Sequence, residues 1–417
     1  MKKRIWNKVV SIFTAILLVV GIVPNTTITA LAAGEDAPNT LYVGDQQVIS
    51  IDNVITYWIT STDGKLTKSP DDQSWNVKYD PSTATLTLNG ATIQGGTSTG
   101  SVPYGAGIYA QCNSGESVSL TIELIGENTI TGYYGIYVNA EISADSNGTD
   151  ASLTITGENK GSLEVSGSSH GIFVKSGTGN ASLNIEKATV TSSTNGGYAA
   201  GVNVQSSANA TGFPNISLSV NGGSLTASST GSSDGIWFYV GSSQATGATT
   251  SLTVSENAIV DARNGGISAL KILETLPTPT PTGDNRSGIV FNGSTGTVYG
   301  DVTLDESLTI NQGETLTIPE GSTLNSNGNL TNNGTILASG GTLEGTLSNG
   351  TTPTTPNITE QPYDYTVTEG EDATFTVEAS AGSETLTYQW QQSTDNGSSW
   401  TNIESETNAS YTINSTN

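Results

Sequence analysis

One short strand keeps returning along this chain. It reads Gly107-Ile108-Tyr109-Ala110, Gly135-Ile136-Tyr137-Val138, Gly171-Ile172-Phe173-Val174, Gly201-Val202-Asn203-Val204 and Gly235-Ile236-Trp237-Phe238, with a weaker copy at Gly266-Ile267-Ser268-Ala269. By subtraction, the starting glycines lie 28, 36, 30, 34 and 31 residues apart. A unit of that length cannot bury its own apolar face and has to stack on copies of itself.

Two further strand-like pieces recur in each unit. The first is Leu86-Thr87-Leu88, Leu120-Thr121-Ile122, Leu153-Thr154-Ile155, Leu183-Asn184-Ile185, Leu218-Ser219-Val220 and Leu252-Thr253-Val254. The second includes Thr129-Ile130-Thr131, Leu163-Glu164-Val165, Thr189-Val190-Thr191, Leu225-Thr226-Ala227 and Ile259-Val260-Asp261. Three strands and three corners per turn describe an all-β protein built on a parallel β-helix, expected to be right-handed. Alternation within the strands puts Ile136, Val138, Ile172, Val174, Ile236 and Phe238 inside and Tyr137 outside.

The remaining segments follow from composition and turn chemistry. Residues 1–32 carry a basic start, an apolar run from Val9 to Val23 and the small-x-small pattern Ala30-Leu31-Ala32, the signature of a secretory signal peptide. That run is 15 residues, short of the roughly 20 a bilayer span needs, so no membrane insertion is expected after cleavage. Residues 33–80 read as an N-terminal cap, with Leu41–Val43, Val48–Ile51 and Val54–Ile59 as strands and Trp58, Trp75 and Tyr79 closing the open end of the stack. The β-helix takes residues 81–296. Within it, the proline-rich stretch from Leu276 to Thr282 is read as a loop thrown out of the rod, and Gly288-Ile289-Val290-Phe291 as a return to the repeat. Residues 297–350 have closer apolar spacing and more turn signals, a narrower solenoid extension, and 351–356 form a linker.

Formal charge is −25; without the four basic residues of the signal it is 9 − 38 = −29. Such a surface repels nucleic acid and anionic lipid, leaving neither as a partner. Cys112 is the only cysteine, so no internal disulfide exists, and a buried filler or free thiol is expected.

Two resemblances enter at this point. Phrases such as Leu88-Asn89-Gly90-Ala91-Thr92-Ile93 and Gly126-Glu127-Asn128-Thr129-Ile130 make residues 70–350 resemble the pectate-lyase-like superfamily. Within it they look like repeats of secreted bacterial surface proteins described as carbohydrate-binding. Residues 357–417 resemble a bacterial immunoglobulin-like module through Glu369 to Val377, Thr387-Tyr388-Gln389-Trp390-Gln391 and Ala409 to Ile413, but stop short of a full sandwich.

Candidate chemistry is sparse. A lyase of this kind needs a strong base, and after the signal only Arg263, near Asp261, and Arg286 offer a guanidinium. An inverting hydrolase needs two facing carboxyl groups, for which Asp234 and Asp284 are isolated candidates. His170, the only histidine, reads as a corner side chain. Asp71, Asp72 and the Asp145 to Asp150 stretch carry carboxylates suited to Ca²⁺, but their spacing matches no defined loop, so no cofactor is expected. The informative feature is the outward row Tyr109, Tyr137, Phe173, Asn203 and Trp237, with Tyr239 beside it. Stacked one per turn, these residues form an aromatic strip that suits sugar rings, while the same pattern also serves cross-strand stability alone. The expected function is non-catalytic glycan binding or adhesion outside the cell. A polysaccharide lyase or hydrolase and a ligand-free structural stalk are the alternatives.

Overall fold

The computed structural model describes residues 36–96, 105–140, 149–157, 161–197, 199–207, 213–231, 234–242, 245, 247–272, 274–282, 285–349, 357–368, 370–380, 386–395, 397 and 399–414. The signal peptide, the 351–356 linker, Asp145 and Asp284 lie outside the described residues.

The recurring strand forms one parallel column: Ile108–Gln111, Ile136–Asn139, Ile172–Lys175, Val202–Ser206, Ile236–Val240 and Ile267–Lys271. Five parallel in-register steps join these strands, so the chain is a β-solenoid of about five turns. The register stacks like on like: Ile108, Ile136, Ile172, Val202 and Ile236 pair in sequence and are fully buried. Val138, Val174, Val204 and Phe238 form a second inner file. Burying each such side chain contributes about 1.5–3 kcal/mol, and a one-residue slip would turn a whole strand outward.

The other two strands of each turn belong to a second sheet. Leu120, Leu153, Leu183, Leu218 and Leu252 pair in succession along it. The opening strand departs from the spacing in the sequence, because Leu86 pairs with Ile122 and Leu88 with Leu124, a shift of two residues. An even shift keeps the same side chains in the core, so the pattern tolerates it. In two turns the first and second strands fuse, as Ala181–Thr194 and Asn215–Ser229. The bend between them needs left-handed backbone at Lys187 and at Gly222-Gly223, and a side chain on Gly223 would meet the Ala188 carbonyl oxygen at 2.3 Å. A polar file at another corner holds successive turns in register. Asp150 Oδ1 accepts from the Asn180 backbone N–H (2.7 Å), Asn180 Oδ1 from that of Asn215 (2.9 Å), and Asn215 Oδ1 from the Thr249 hydroxyl (3.1 Å).

The N-terminal segment closes the stack with antiparallel strands. Thr40–Val43 pairs with Ile108–Gln111, while Thr56–Thr60, Leu66–Lys68 and Val77–Asp80 lead into Thr85–Asn89. Trp58 and Tyr79 are buried against the core end, and Trp75 is half-buried. The strand expected over Val48–Ile51 is absent: Gln46–Gln47 pairs instead, and Ile51 is fully exposed.

Two expectations beyond residue 270 are corrected. Gly288–Asn292 does not rejoin the column that its Gly-Ile motif resembles; it pairs with Ala258–Ala262 in the second sheet. That position puts Val290 in the core of the wide solenoid and Ile289 and Phe291 in the separate core of the narrow one, so both faces of the strand are buried. The chain then reverses through an antiparallel hairpin to Thr295–Tyr299, so the narrow solenoid does not simply prolong the first. Its own parallel files include Thr295–Tyr299, Thr315–Pro319 and Thr335–Ser339, starting 20 residues apart by subtraction. A separate core, including Ile310, Leu316, Ile318, Leu324 and Leu330, fills it.

The described residues of 357–414 form three antiparallel pairs, which do not by themselves establish the incomplete immunoglobulin-like module expected there. Trp390 is half-buried, donates through Nε1 to the Asn408 carbonyl (2.8 Å) and lies 5.9 Å from the Tyr411 ring, whereas Trp400 is exposed. Among the described residues these strands are paired only two by two. No α-helix occurs among the described residues, and no helix there is long and apolar enough to cross a membrane.

Candidate functional site

Alternation within the motif strand sends its second residue away from the core, and the parallel register lines those residues up. Tyr109, Tyr137, Phe173, Asn203 and Trp237 pair in turn, and Ser268 ends the row. The cap adds a member the motif did not mark, because Tyr42 is paired with Tyr109. The six predicted site residues therefore share one outer face, with Tyr239 two positions beyond Trp237 on the same strand.

The row is not an open strip along its length. Tyr109 (1% exposed), Tyr137 (5%), Phe173 (7%) and Asn203 (1%) are buried. Ala106, Tyr109, Tyr137 and Phe173 form an apolar cluster outside the main core, with Tyr42 and Tyr134 packed on it. Tyr137 and Phe173 stack at 4.8 Å and 8°, while Tyr109 meets Tyr137 edge-on at 5.5 Å. Tyr134 lies 4.9 Å from Tyr137 and 5.7 Å from Phe173, and His170 lies 4.8 Å from Phe173.

The covering residues occupy one sequence position, the residue before each motif glycine: Ala106, Tyr134, His170, Ala200 and Asp234. At this corner a large ring folds back over the outer face, and that signal is legible once the row is known. Where the position holds Asp234, no ring among the described residues covers the strand. Trp237 and Tyr239 are only half-buried there, 5.0 Å apart with a 52° tilt.

Three successive residues of the row carry buried polar atoms without hydrogen-bond partners: Asn203 Oδ1, Trp237 Nε1 and Ser268 Oγ. Ser268 lies close enough to Asp234 to oppose the upward push that burial gives the carboxyl, though in poor hydrogen-bond geometry. His170 is the group best fixed. Its Nδ1 accepts from the Ala200 N–H at 2.8 Å, so the proton of the neutral ring sits on Nε2, 3.4 Å from the Asn203 amide. An Nε2–H needs the amide oxygen opposite it; rotating the amide supplies that and leaves its NH₂ unpartnered instead. Burial pushes His170 down to about 4, so it is neutral at ordinary pH.

The other candidates fall into place around this face. Asp71 Oδ1 accepts from the Gln73 and Ser74 backbone N–H groups, a turn-capping role. Asp150 belongs to the corner file described above. Among the described residues no group of three or more His, Cys, Asp or Glu side chains is placed to hold a metal. Cys112 is buried, its Sγ is 2.9 Å from the Glu116 carbonyl, and burial pushes its thiol up to about 11, which removes it as a nucleophile. Arg286 is exposed. Arg263 is not a simple surface partner of Asp261. Its Nε lies 3.6 Å from Asp261 Oδ1, its Nη1 3.5 Å from Glu314 Oε2 of the narrow solenoid, and its Cζ 3.9 Å from the Phe291 ring centre.

A family described as a domain of unknown function (DUF8696) matches residues 345–417. That segment holds the end of the narrow solenoid and the C-terminal strand pairs. No curated protein and no solved structure matches the chain.

Proposed function

We propose that this is a secreted or cell-surface, non-catalytic glycan-binding protein whose outer aromatic row carries the ligand. In this reading Trp237 and Tyr239 make the contact, and Tyr109, Tyr137, Phe173 and Asn203 form the rigid support behind them. The solenoid is then a right-handed β-helix of the pectate-lyase-like kind, and the C-terminal pairs are part of an immunoglobulin-like module. The observation that carries the reading is the half-buried Trp237–Tyr239 pair at the end of an otherwise locked aromatic stack. Such a pair presents π-faces, negative at their centres, to the polarised C–H groups of a sugar ring. Unpartnered polar atoms on three adjacent turns suit a hydroxyl-bearing neighbour, since buried groups of this kind call for a partner.

A second reading, a structural stalk, is favoured by the closed part of the row. There Tyr109, Tyr137 and Phe173 are packed as a second core and need no ligand. A glycan array decides between the two. The chain without residues 1–32 binds at least one neutral polysaccharide, and Trp237→Ala with Tyr239→Ala abolishes that binding while the melting temperature stays within a few degrees. A wild-type chain that binds nothing leaves the stalk. New reducing ends or unsaturated products from a bound polysaccharide turn the reading toward an enzyme.

A further inference from the structure

The joint between the two solenoids holds an open-sided cavity of about 190 Å³. Its wall comes from both: Thr226, Ser228 and Asn264 from the wide one, Asn311 and Glu314 from the narrow one, with Asp261 and Arg263 between. At ~30 Å³ per water that is room for about six waters, or for one ring-sized polar group.

Arg263 is the unusual member. Its side chain is 15% exposed, yet Nε and Nη2 have no hydrogen-bond partner in the protein. Asp261 and Glu314 hold it by charge at 3.6 and 3.5 Å, too far for well-formed hydrogen bonds. A guanidinium carries five donors in a fixed fork, and a buried one is normally filled. Attraction without hydrogen bonds leaves it able to turn toward an acceptor. The carboxylates also keep capacity. Glu314 accepts the Asn311 N–H (2.8 Å) and Nδ2 (3.0 Å), and Asp261 Oδ1 the Arg263 N–H (3.1 Å), which leaves free lone pairs on both.

Charge selects the ligand. One guanidinium and two carboxylates sum to −1, so an anion meets repulsion; a metal cation meets a guanidinium already lodged between the two acids. Hydroxyls and amides that donate and accept, together with carboxylates that accept and a guanidinium that donates, fit an uncharged group that does both. We propose that this cavity binds a single neutral, hydroxyl-rich sugar residue, whose hydroxyls donate to Asp261 and Glu314 and whose oxygens accept from Arg263. The site does not depend on the aromatic row.

The test is saturation-transfer NMR of the full chain carrying Trp237→Ala and Tyr239→Ala, which removes the outer pair. The probes are free glucose, galactose, N-acetylglucosamine and glucuronate. At least one neutral sugar receives saturation, and glucuronate binds roughly tenfold more weakly or worse. Adding Thr226→Leu and Ser228→Leu fills the cavity and removes the signal with the melting temperature unchanged; if that pair unfolds the chain, Thr226→Leu alone decides. The proposal fails if no neutral sugar receives saturation, if the filled variant responds as before, or if glucuronate is the best ligand. Loss of array binding in the wild-type background alone would count against the aromatic row and not against this cavity.

Discussion

The outer row has a closed part and an open part, and the side chains packed over it differ between them. Under Tyr134 and His170, Tyr137 and Phe173 are sealed into a second core. Two turns further, the equivalent corner residue is Asp234, and Trp237 stays half-buried beside Tyr239. Strand pattern and register are the same in both, so the difference lies in what packs over the strand and not in the strand itself. A row of aromatic residues on a solenoid face is therefore no guide to a ligand until its covering residues are known. In the proposed reading, glycan contact falls to the open part and stability to the closed one.

The sharpest way to break this comparison is to truncate one ring in each part. Phe173→Ala removes a buried, stacked ring and should lower the unfolding free energy by about 3–5 kcal/mol, the range for large buried aromatics. Trp237→Ala removes a half-buried ring and should cost about 1–2 kcal/mol. Urea unfolding followed by circular dichroism measures both. Equal losses would mean that the open part is core as well.

Much of this architecture is legible in the residues. The Gly-Ile motif gives the column, and alternation gives the inner file of Ile136, Ile172 and Ile236, because a parallel in-register stack repeats one environment at each turn. Corners repeat their environment less regularly: the Asp150–Asn180–Asn215 file carries through, while the residue before the motif glycine changes from turn to turn. The fused strands Ala181–Thr194 and Asn215–Ser229, and the covering role of Tyr134 and His170, depend on how a bend turns, which alternation does not encode. Long-range partners were equally hidden: Glu314 lies 51 residues beyond Arg263 (314 − 263) in a differently spaced solenoid. For the same reason a Gly-Ile phrase at residue 288 joined the second sheet instead of its own column.

Acid should loosen the closed part selectively. His170 is held neutral, pushed from 6.5 down to about 4, so below pH 6.5 the unfolded chain takes up a proton that the folded one resists. Stability from this group is complete above pH 6.5 and falls as the pH drops toward 4, by about 3 kcal/mol at ~1.4 kcal/mol per pH unit. His170→Gln should remove this part of the pH dependence between 6.5 and 4, leaving the slope due to other groups. Hydrogen exchange of the Ile172–Lys175 amides at pH 7 and pH 4.5 reads it locally. An unchanged slope in the variant would show that the ring is not confined as described.

The smallest effect is expected at the far end of the row. Ser268 buries a hydroxyl with no hydrogen-bond partner, beside a carboxyl that burial already pushes toward its neutral form. A buried polar atom that makes no bond carries its desolvation cost without a return, so removing it is neutral or slightly favourable. Ser268→Ala should therefore shift the unfolding free energy by no more than about 1 kcal/mol, and toward greater stability. Its effect on glycan affinity separates two roles for the same atom. If the hydroxyl waits for a sugar partner, the variant gains stability and loses binding together, and only the open part of the row can show that exchange. A variant that loses stability instead would mean that Ser268 bonds the Asp234 carboxyl after all, and the unpartnered atoms would no longer mark this end as the contact surface.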